Sequence, residues 1–322
     1  MNPQHRRIYM QEVATRDGFQ IEPAFIPTDD KIALIDALSQ AGYAKIEVTS
    51  FTSAAAIPAL RDADEVMQRI TRVPGVVYTV LVPNARGAER AMAAHADEFN
   101  LVMSVSETHN LSNLRMTREQ SFRGLAQVIE ATRGTSVAIN VSLSTSFGCP
   151  MEGTVAYSEV LRWAARFADL DVRGITLCDT TGMAHPGAAH DLTASFKARF
   201  PHLELTLHFH NTRGMGGANV LTAIEAGADR FDASLGGLGG CPYAPGATGN
   251  ICTEDTAHML DAVGYDTGLN LDRVIAAARR LPAMLGHDIA GQVAKAGLIT
   301  ERHQPPTDFE AIRERALARD AR

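Results

Sequence analysis

The feature that most constrains this chain is a repeat of eight short apolar, β-branched runs with helical patterns between most of them. The runs cover 7–13, 44–51, 75–82, 98–105, 136–144, 174–181, 203–211 and 230–237, and their starts lie 23 to 38 residues apart. That interval fits one strand, one helix and short loops. In the stretch 28–42, Ile32, Leu34, Ile35 and Leu38 share one helical stripe, with a Thr/Asp cap before them and Ala41-Gly42 after them. Similar patterns run over 117–134, 154–170, 187–200, 216–228 and 246–264. Eight such units close into a (β/α)8 TIM barrel. A doubly wound open sheet would carry a glycine-rich phosphate turn after its first strand. Here that turn reads "ATRDGFQ", with one glycine.

The barrel is expected to occupy residues 1–267. A C-terminal helical extension packed on it takes up 268–322, where "NLDRVIAAARRLPAMLG" and "DFEAIRERALARD" read as amphipathic helices. No Gly/Ser linker separates the two. A formal charge of −7 and a pI near 5.9 argue against a nucleic-acid partner. Four cysteines, at 149, 178, 241 and 252, form no C-x-x-C pair, which argues against a zinc ribbon. The N-terminus has no apolar stretch of signal-peptide length, and no apolar run is long enough to span a bilayer. A soluble, cytoplasmic protein with free thiols is expected, with no membrane partner.

Barrel enzymes build their sites at the C-terminal ends of the strands. The polar residues there are Arg16 and Asp17, Glu47 and Thr49, Ser106 and Glu107, Ser142 and Ser144, Thr176, Asp179 and Thr180, His208 and His210, then Cys241 and Asn250. In "LHFHNTRG", His208 and His210 stand two apart on a strand and so face the same way. Two imidazoles, one carboxylate and one amide oxygen form an oxygen/nitrogen set. Asp17, His208, His210 and Asn250 are the expected ligands of a divalent cation. Mg²⁺ or Mn²⁺ suits this set, although a His₂-carboxylate core also suits Zn²⁺ or Fe²⁺. The plainer alternative has both histidines bonding neighbouring backbone or carboxylates. Arg16 is either a salt-bridged loop end or a stabiliser of developing negative charge. Asp179 and Glu47 read as hydrogen-bonding supports. Cys241 sits among glycines 236, 237, 239, 240, 246 and 249, a loop suited to closing over a ligand and bringing a thiol to transfer a proton. Cys149 reads as structural, and Cys178 and Cys252 as packing residues.

Over roughly residues 8 to 297 the chain resembles the 3-hydroxy-3-methylglutaryl-CoA lyases of the DRE-TIM metallolyase superfamily. The resemblance rests on "EVATRDGFQIE", "AKIEVTSF", "FGCPMEG", "LCDTTGMAHP", "HFHN" and, most specifically, "GGLGGCPYAPGATGN". It implies a metal-dependent carbon–carbon lyase with an acyl-CoA substrate and a place in leucine degradation. The implied ligands are the same four residues. Arg16 and Cys241 become catalytic, with Asp17 and His208 beside them, and Glu12, Glu47 and Asp179 become supporting acids. Gln20, Ser142, Ser144 and Arg213 are further expected supporting or substrate-contacting residues. The implied reaction is a retro-Claisen cleavage giving acetoacetate and acetyl-CoA, with His208, Asp17 or a metal-bound water as base. A homo-oligomer, dimeric or tetrameric, is expected.

The chain departs from the family pattern in four places. Asn211 and Arg213 stand where H-x-H-D-T-Y-G is usual, and Phe19 and Ile21 where RDGLQNE is usual. These positions are expected beside the metal, where they bear on the acyl group. Arg213 is expected to meet either a substrate carboxylate or a neighbouring acid. A lyase for citramalyl-CoA or a related thioester is therefore an alternative. A condensing synthase of the isopropylmalate or homocitrate type shares the H-x-H but lacks the glycine-rich cysteine loop. A non-catalytic metal-binding barrel explains the ligands but not Arg16 with Cys241. Arg86 and Arg115 are either rim-loop contacts for CoA phosphates or plain surface arginines.

Overall fold

A computed structural model describes residues 6–240 and 249–320. Eight parallel strands follow one another around a closed barrel. They are β1 (Tyr9–Glu12), β2 (Lys45–Ser50), β3 (Val77–Leu81), β4 (Glu98–Ser104), β5 (Ala138–Ser144), β6 (Gly174–Cys178), β7 (Glu204–His208) and β8 (Arg230–Ala233). Closure comes from β1 pairing with β8 as well as with β2. Each apolar run holds one strand, and the helices between them bury their apolar stripes on the barrel's outside. Ile32, Leu34, Ile35 and Leu38 of the helix Thr28–Ser39 all belong to this core. Local chemistry sets several helix starts. Thr117 and Gln120 form a reciprocal capping box before Arg118–Ala131, and Asn84 caps Ala85–Ala93.

Two expected elements end early. The run 203–211 is strand only as far as His208. Beyond it, residues 209–211 leave the barrel ladder and pair with 249–251: Ile251 donates to the Phe209 carbonyl at 3.0 Å and Asn211 to the Gly249 carbonyl at 3.0 Å. The amphipathic stretch 270–286 is two helices, Leu271–Ala278 and Leu281–Leu285. Pro282 accounts for the break, because it lacks an N–H and its ring collides with the carbonyl of residue 278. Val274, Ile275, Ala278 and Leu281 are buried, whereas the last helix, Phe309–Asp320, has no buried residue. Among the described residues, no helix is long and apolar enough to cross a membrane.

The barrel's inside is unusual in being polar. Gln11, Lys45, Glu47, Thr79, Glu98, Asn100, Asn140, Thr176 and Asp232 line its small central space. Buried polar groups need partners, and these have them. Lys45 is ion-paired with Glu98. Asn140 donates to Asn100 Oδ1 at 3.1 Å and to Thr176 at 2.9 Å. Ser142 donates to the same Asn100 oxygen at 2.8 Å. The chain of bonds runs up the inside of the barrel to Glu47, which accepts from Asn100 Nδ2 at 2.8 Å.

Candidate active site and metal centre

Strand β1 leads into a five-residue π-turn, Ala14–Gly18, in which the Asp17 amide donates to the Val13 carbonyl at 2.7 Å. Such wide turns recur at functional sites because they re-aim side chains. This one turns Arg16 and Asp17 into the barrel mouth, where both are buried. The turn packs so closely on the segment after β8 that a Cβ on Gly18 would sit 2.9 Å from Leu238 Cβ.

The expected ligands meet here. One ligand atom each from Asp17, His208 and His210 lies within 4.8 Å of the other two. His208 Nε2 and His210 Nε2 are 3.2 Å apart. Ligand atoms on one small cation, about 2.1 Å from it, stand about 3 Å from each other. Asn250 joins through the backbone bridge between His210 and Asn250. Its amide donates to Asp17 Oδ2 at 2.7 Å and to the Leu238 carbonyl at 2.9 Å. That leaves Asn250 Oδ1 buried with no hydrogen-bond partner among the described residues. An orphaned buried acceptor costs about 1–3 kcal/mol, and a cation beside Asp17 would satisfy it. The donor set therefore fits a divalent ion. Gly239, with φ of 103°, passes directly over this ring, and a Cβ there would overlap Asn250 Nδ2. No other residue type combines that backbone conformation with so close an approach.

Arg16 is clamped between two acids. Its Nη1 donates to Asp17 Oδ1 at 2.6 Å, and its Nε to Glu47 Oε2 at 2.6 Å. Burial works against its charge, but Glu47 and Asp17 outweigh that and hold it cationic. For Asp17, burial favours the neutral acid. The neighbouring Arg16 and His208 outweigh it, so the carboxyl is held below its ordinary range. Glu47 goes the other way, with burial pushing its carboxyl up despite Arg16. His208 and His210 differ as well. Burial lowers both, but the Asp232 carboxylate brings His208 above its ordinary value, whereas His210, with no such partner, falls to about 3.

Other expected site residues stand apart from the ring or only touch it. Gln20 reaches Asp17 Oδ1 at 3.4 Å, a weak contact. Ser142 belongs to the interior chain through Asn100, and Ser144 is buried at the end of β5. Asp179 accepts from the Met183 and Ala184 amides at 2.6 and 2.9 Å, shaping the turn after β6. Burial raises its carboxyl to about 7. Arg213 meets no acid among the described residues. Its Nη1 donates to the carbonyls of Thr181 and Gly182 at 3.1 and 2.7 Å, tying the loop after β7 to the loop after β6. Asn211 is exposed and accepts from the Gly216 amide at 3.0 Å, so its amide oxygen does what a carboxylate would do at that helix start. Phe19 is fully buried in the core, while Ile21 is exposed. Cys241 lies outside the described residues. Cys149, Cys178 and Cys252 are free and buried, and Cys149 accepts from Ser106 Oγ at 3.0 Å. Arg86 and Arg115 are exposed.

Glu12 is buried at the root of the site rather than in the ring. Its carboxyl accepts from the amides of Ala14 and Leu235 at 2.9 and 2.8 Å and from Thr253 at 2.8 Å. These bonds tie β1 to the segment after β8. Burial is the largest influence and lifts it from 4.5 to about 7, with the hydrogen bonds opposing. An acid raised in the folded state binds its proton more tightly folded than unfolded. Its contribution is therefore fully present below about pH 4.5 and lost as pH rises through about 7. That span amounts to about 3 kcal/mol. Glu12→Gln keeps an oxygen acceptor but no titration. Denaturant midpoints of metal-free protein should fall less from pH 5 to 8 in Glu12→Gln than in wild type. Equal slopes would remove Glu12 from the account.

Three contributors escaped the sequence analysis. Asp232, Asn100 and Asn140 all point into the barrel from strands, and Asp232 Oδ2 lies 3.1 Å from His208 Nδ1. The only signal in the sequence was a polar residue at an inward strand position.

Fold and site together define a (β/α)8 barrel with a candidate divalent-metal centre and a clamped arginine at its catalytic rim. The HMGL-like family model matches residues 7–281. Hydroxymethylglutaryl-CoA lyase YngG of Bacillus subtilis (strain 168) is 41% identical over 284 residues, 88% of this chain and 95% of that one. The human mitochondrial hydroxymethylglutaryl-CoA lyase is 36% identical over 291 residues, 90% of each chain. The structure of an HMG-CoA lyase from Acinetobacter baumannii in complex with coenzyme A and 3-methylmalate superimposes with a TM-score of 0.89 at 50% identity, covering 93% of this chain and 98% of that one. The chain belongs to the HMGL-like family.

Proposed function

We propose that this protein is a divalent-metal-dependent carbon–carbon lyase that cleaves 3-hydroxy-3-methylglutaryl-CoA to acetoacetate and acetyl-CoA. One observation carries the reading: Asp17, His208, His210 and the orphaned Asn250 oxygen converge beside the clamped Arg16. Relatives named hydroxymethylglutaryl-CoA lyase at 36–41% identity support it. The oxygen-rich half of the ligand set favours Mg²⁺ or Mn²⁺.

When bound, the cation supplies positive charge beside the substrate's hydroxyl and carboxylate oxygens. Arg16 stabilises the negative charge that grows on the substrate oxygens as the hydroxyl proton leaves to a base in the ring. The bond between the thioester's α-carbon and the hydroxyl-bearing carbon then breaks. Its electron pair passes to the acetyl-CoA enolate, and the oxygen becomes the keto group of acetoacetate. Cys241 gives the enolate carbon its proton. The thioester arm lies in the groove of about 320 Å³ beside the ring, lined by Ile21, Leu238, Gly239, His287 and Ile289. The protein works in the cytoplasm as a homo-oligomer.

Ile21, which stands where the family pattern has an asparagine, favours one second reading, a lyase with a different acyl group such as citramalyl-CoA. Purified protein with Mg²⁺ or Mn²⁺ should release acetyl-CoA fastest from 3-hydroxy-3-methylglutaryl-CoA in a panel of such thioesters. No release from that substrate overturns the primary reading. Cys241→Ser should lower kcat by about 10²–10⁴-fold, the usual range for a lost proton donor, with metal content unchanged. Full activity in that variant removes the thiol from the mechanism.

A further inference from the structure

We infer that Asp232 is the positioning residue that commits His208 to the metal, holding its Nδ1–H so that Nε2 presents a lone pair to the ring. The inference rests on the metal-dependent reading above. The pairing is built by strand register: His208 of β7 stands directly opposite Asp232 of β8. Asp232 Oδ2 and His208 Nδ1 are 3.1 Å apart, and both side chains are only 11% exposed. An ionised carboxylate can only accept, so the proton of this bond belongs to Nδ1. Nε2 is then the free lone pair, and it is the atom that faces His210 Nε2.

The two histidines are therefore not equivalent. His210 Nδ1 is buried without a hydrogen-bond partner among the described residues, so no carboxylate stands behind that ring. His208 has Asp232 behind it, fixing both its tautomer and its orientation. Asp232 does not join the ring itself, since the cluster of possible ligand atoms among the described residues is Asp17, His208 and His210. Its charge also favours the cationic form of Arg16. One carboxylate thus steadies a ligand and the arginine beside it. A carboxylate behind a ligating imidazole orients it and raises its basicity, and losing such a partner typically costs about 10–100-fold in metal affinity.

The test uses the full-length protein, stripped of metal and titrated with Mn²⁺ by calorimetry. The variants are Asp232→Asn, which keeps an acceptor for Nδ1–H but not its charge, and Asp232→Ala, which keeps neither. Circular dichroism verifies folding, and Asp232→Asn decides the matter if the alanine variant does not fold. The Mn²⁺ dissociation constant should rise about 10-fold in Asp232→Asn and about 100-fold in Asp232→Ala. Long-range ¹H–¹⁵N NMR of metal-free protein should place the His208 proton on Nδ1 in wild type and divide it between the two nitrogens in Asp232→Ala. Wild-type Mn²⁺ affinity in folded variants, or an unchanged His208 tautomer, overturns the inference. Wild-type protein that binds Mn²⁺ but cleaves no thioester overturns the substrate reading alone. Wild-type protein that binds no Mn²⁺ overturns both.

Discussion

An Arg16→Gln enzyme is expected to lose about 10²–10³-fold in kcat, with metal affinity changed far less. The guanidinium is fixed before substrate arrives by Glu47 on one edge and Asp17 on the other. A preorganised donor of this kind costs no reorganisation as charge develops, so its loss falls on the transition state. Glutamine is shorter and neutral and cannot span both acids. Arg16→Lys should recover only part of the rate, because a point charge cannot reproduce the fork that meets Glu47 and Asp17 together. Stability also falls, since removing one partner of a buried ion pair typically costs about 3–5 kcal/mol. Glu47 softens this loss, because burial already favours its protonated form. Steady-state rates at saturating Mg²⁺, with denaturant midpoints on the same samples, separate the two effects. A kcat within threefold of wild type would reduce Arg16 to a salt-bridged loop end.

The second large effect is expected from Asp17→Asn. Asp17 carries the ligand set's negative charge, and its two oxygens are already shared with Arg16 and Asn250. An asparagine leaves an all-neutral ring and turns an N–H₂ toward either the Arg16 guanidinium or the Asn250 amide. Both of those groups only donate at that point. Metal affinity should fall by more than the 10–100-fold or so typical of a supporting residue, and acetyl-CoA release should drop to background. Metal content after dialysis and product release at raised Mn²⁺ check this together. Stoichiometric retained metal with near-normal turnover would sink the ligand assignment.

The strand-and-helix alternation was legible in the chain because apolar runs and helical stripes are local periodicities. Every apolar run holds one barrel strand. The same locality explains the two early ends. Pro282 breaks a pattern that periodicity alone continues, and after His208 the backbone stays extended while changing its partner. Asn211 and Arg213 looked like substrate-facing departures. In the structure Asn211 accepts from the Gly216 amide and Arg213 straps two loop carbonyls, contacts set by which backbone groups lie within reach.

By itself, the sequence determined that His208 and His210 face the same way, since side chains alternate along any extended segment. It also determined that Arg16, Asp17 and the H-x-H fall at or just past the C-terminal ends of strands, with Glu47 inside the second strand. The tertiary structure alone decided what meets what. Asp232 reaches His208 through the β7–β8 register, Asn250 reaches Asp17 through a bridge to His210, and Glu47 is joined to Asn140 through Asn100 across the barrel's inside. Strand direction and facing are written in neighbouring residues. Register and closure arise only when residues 24 to 233 positions apart are brought to hydrogen-bond distance, and no local pattern encodes that.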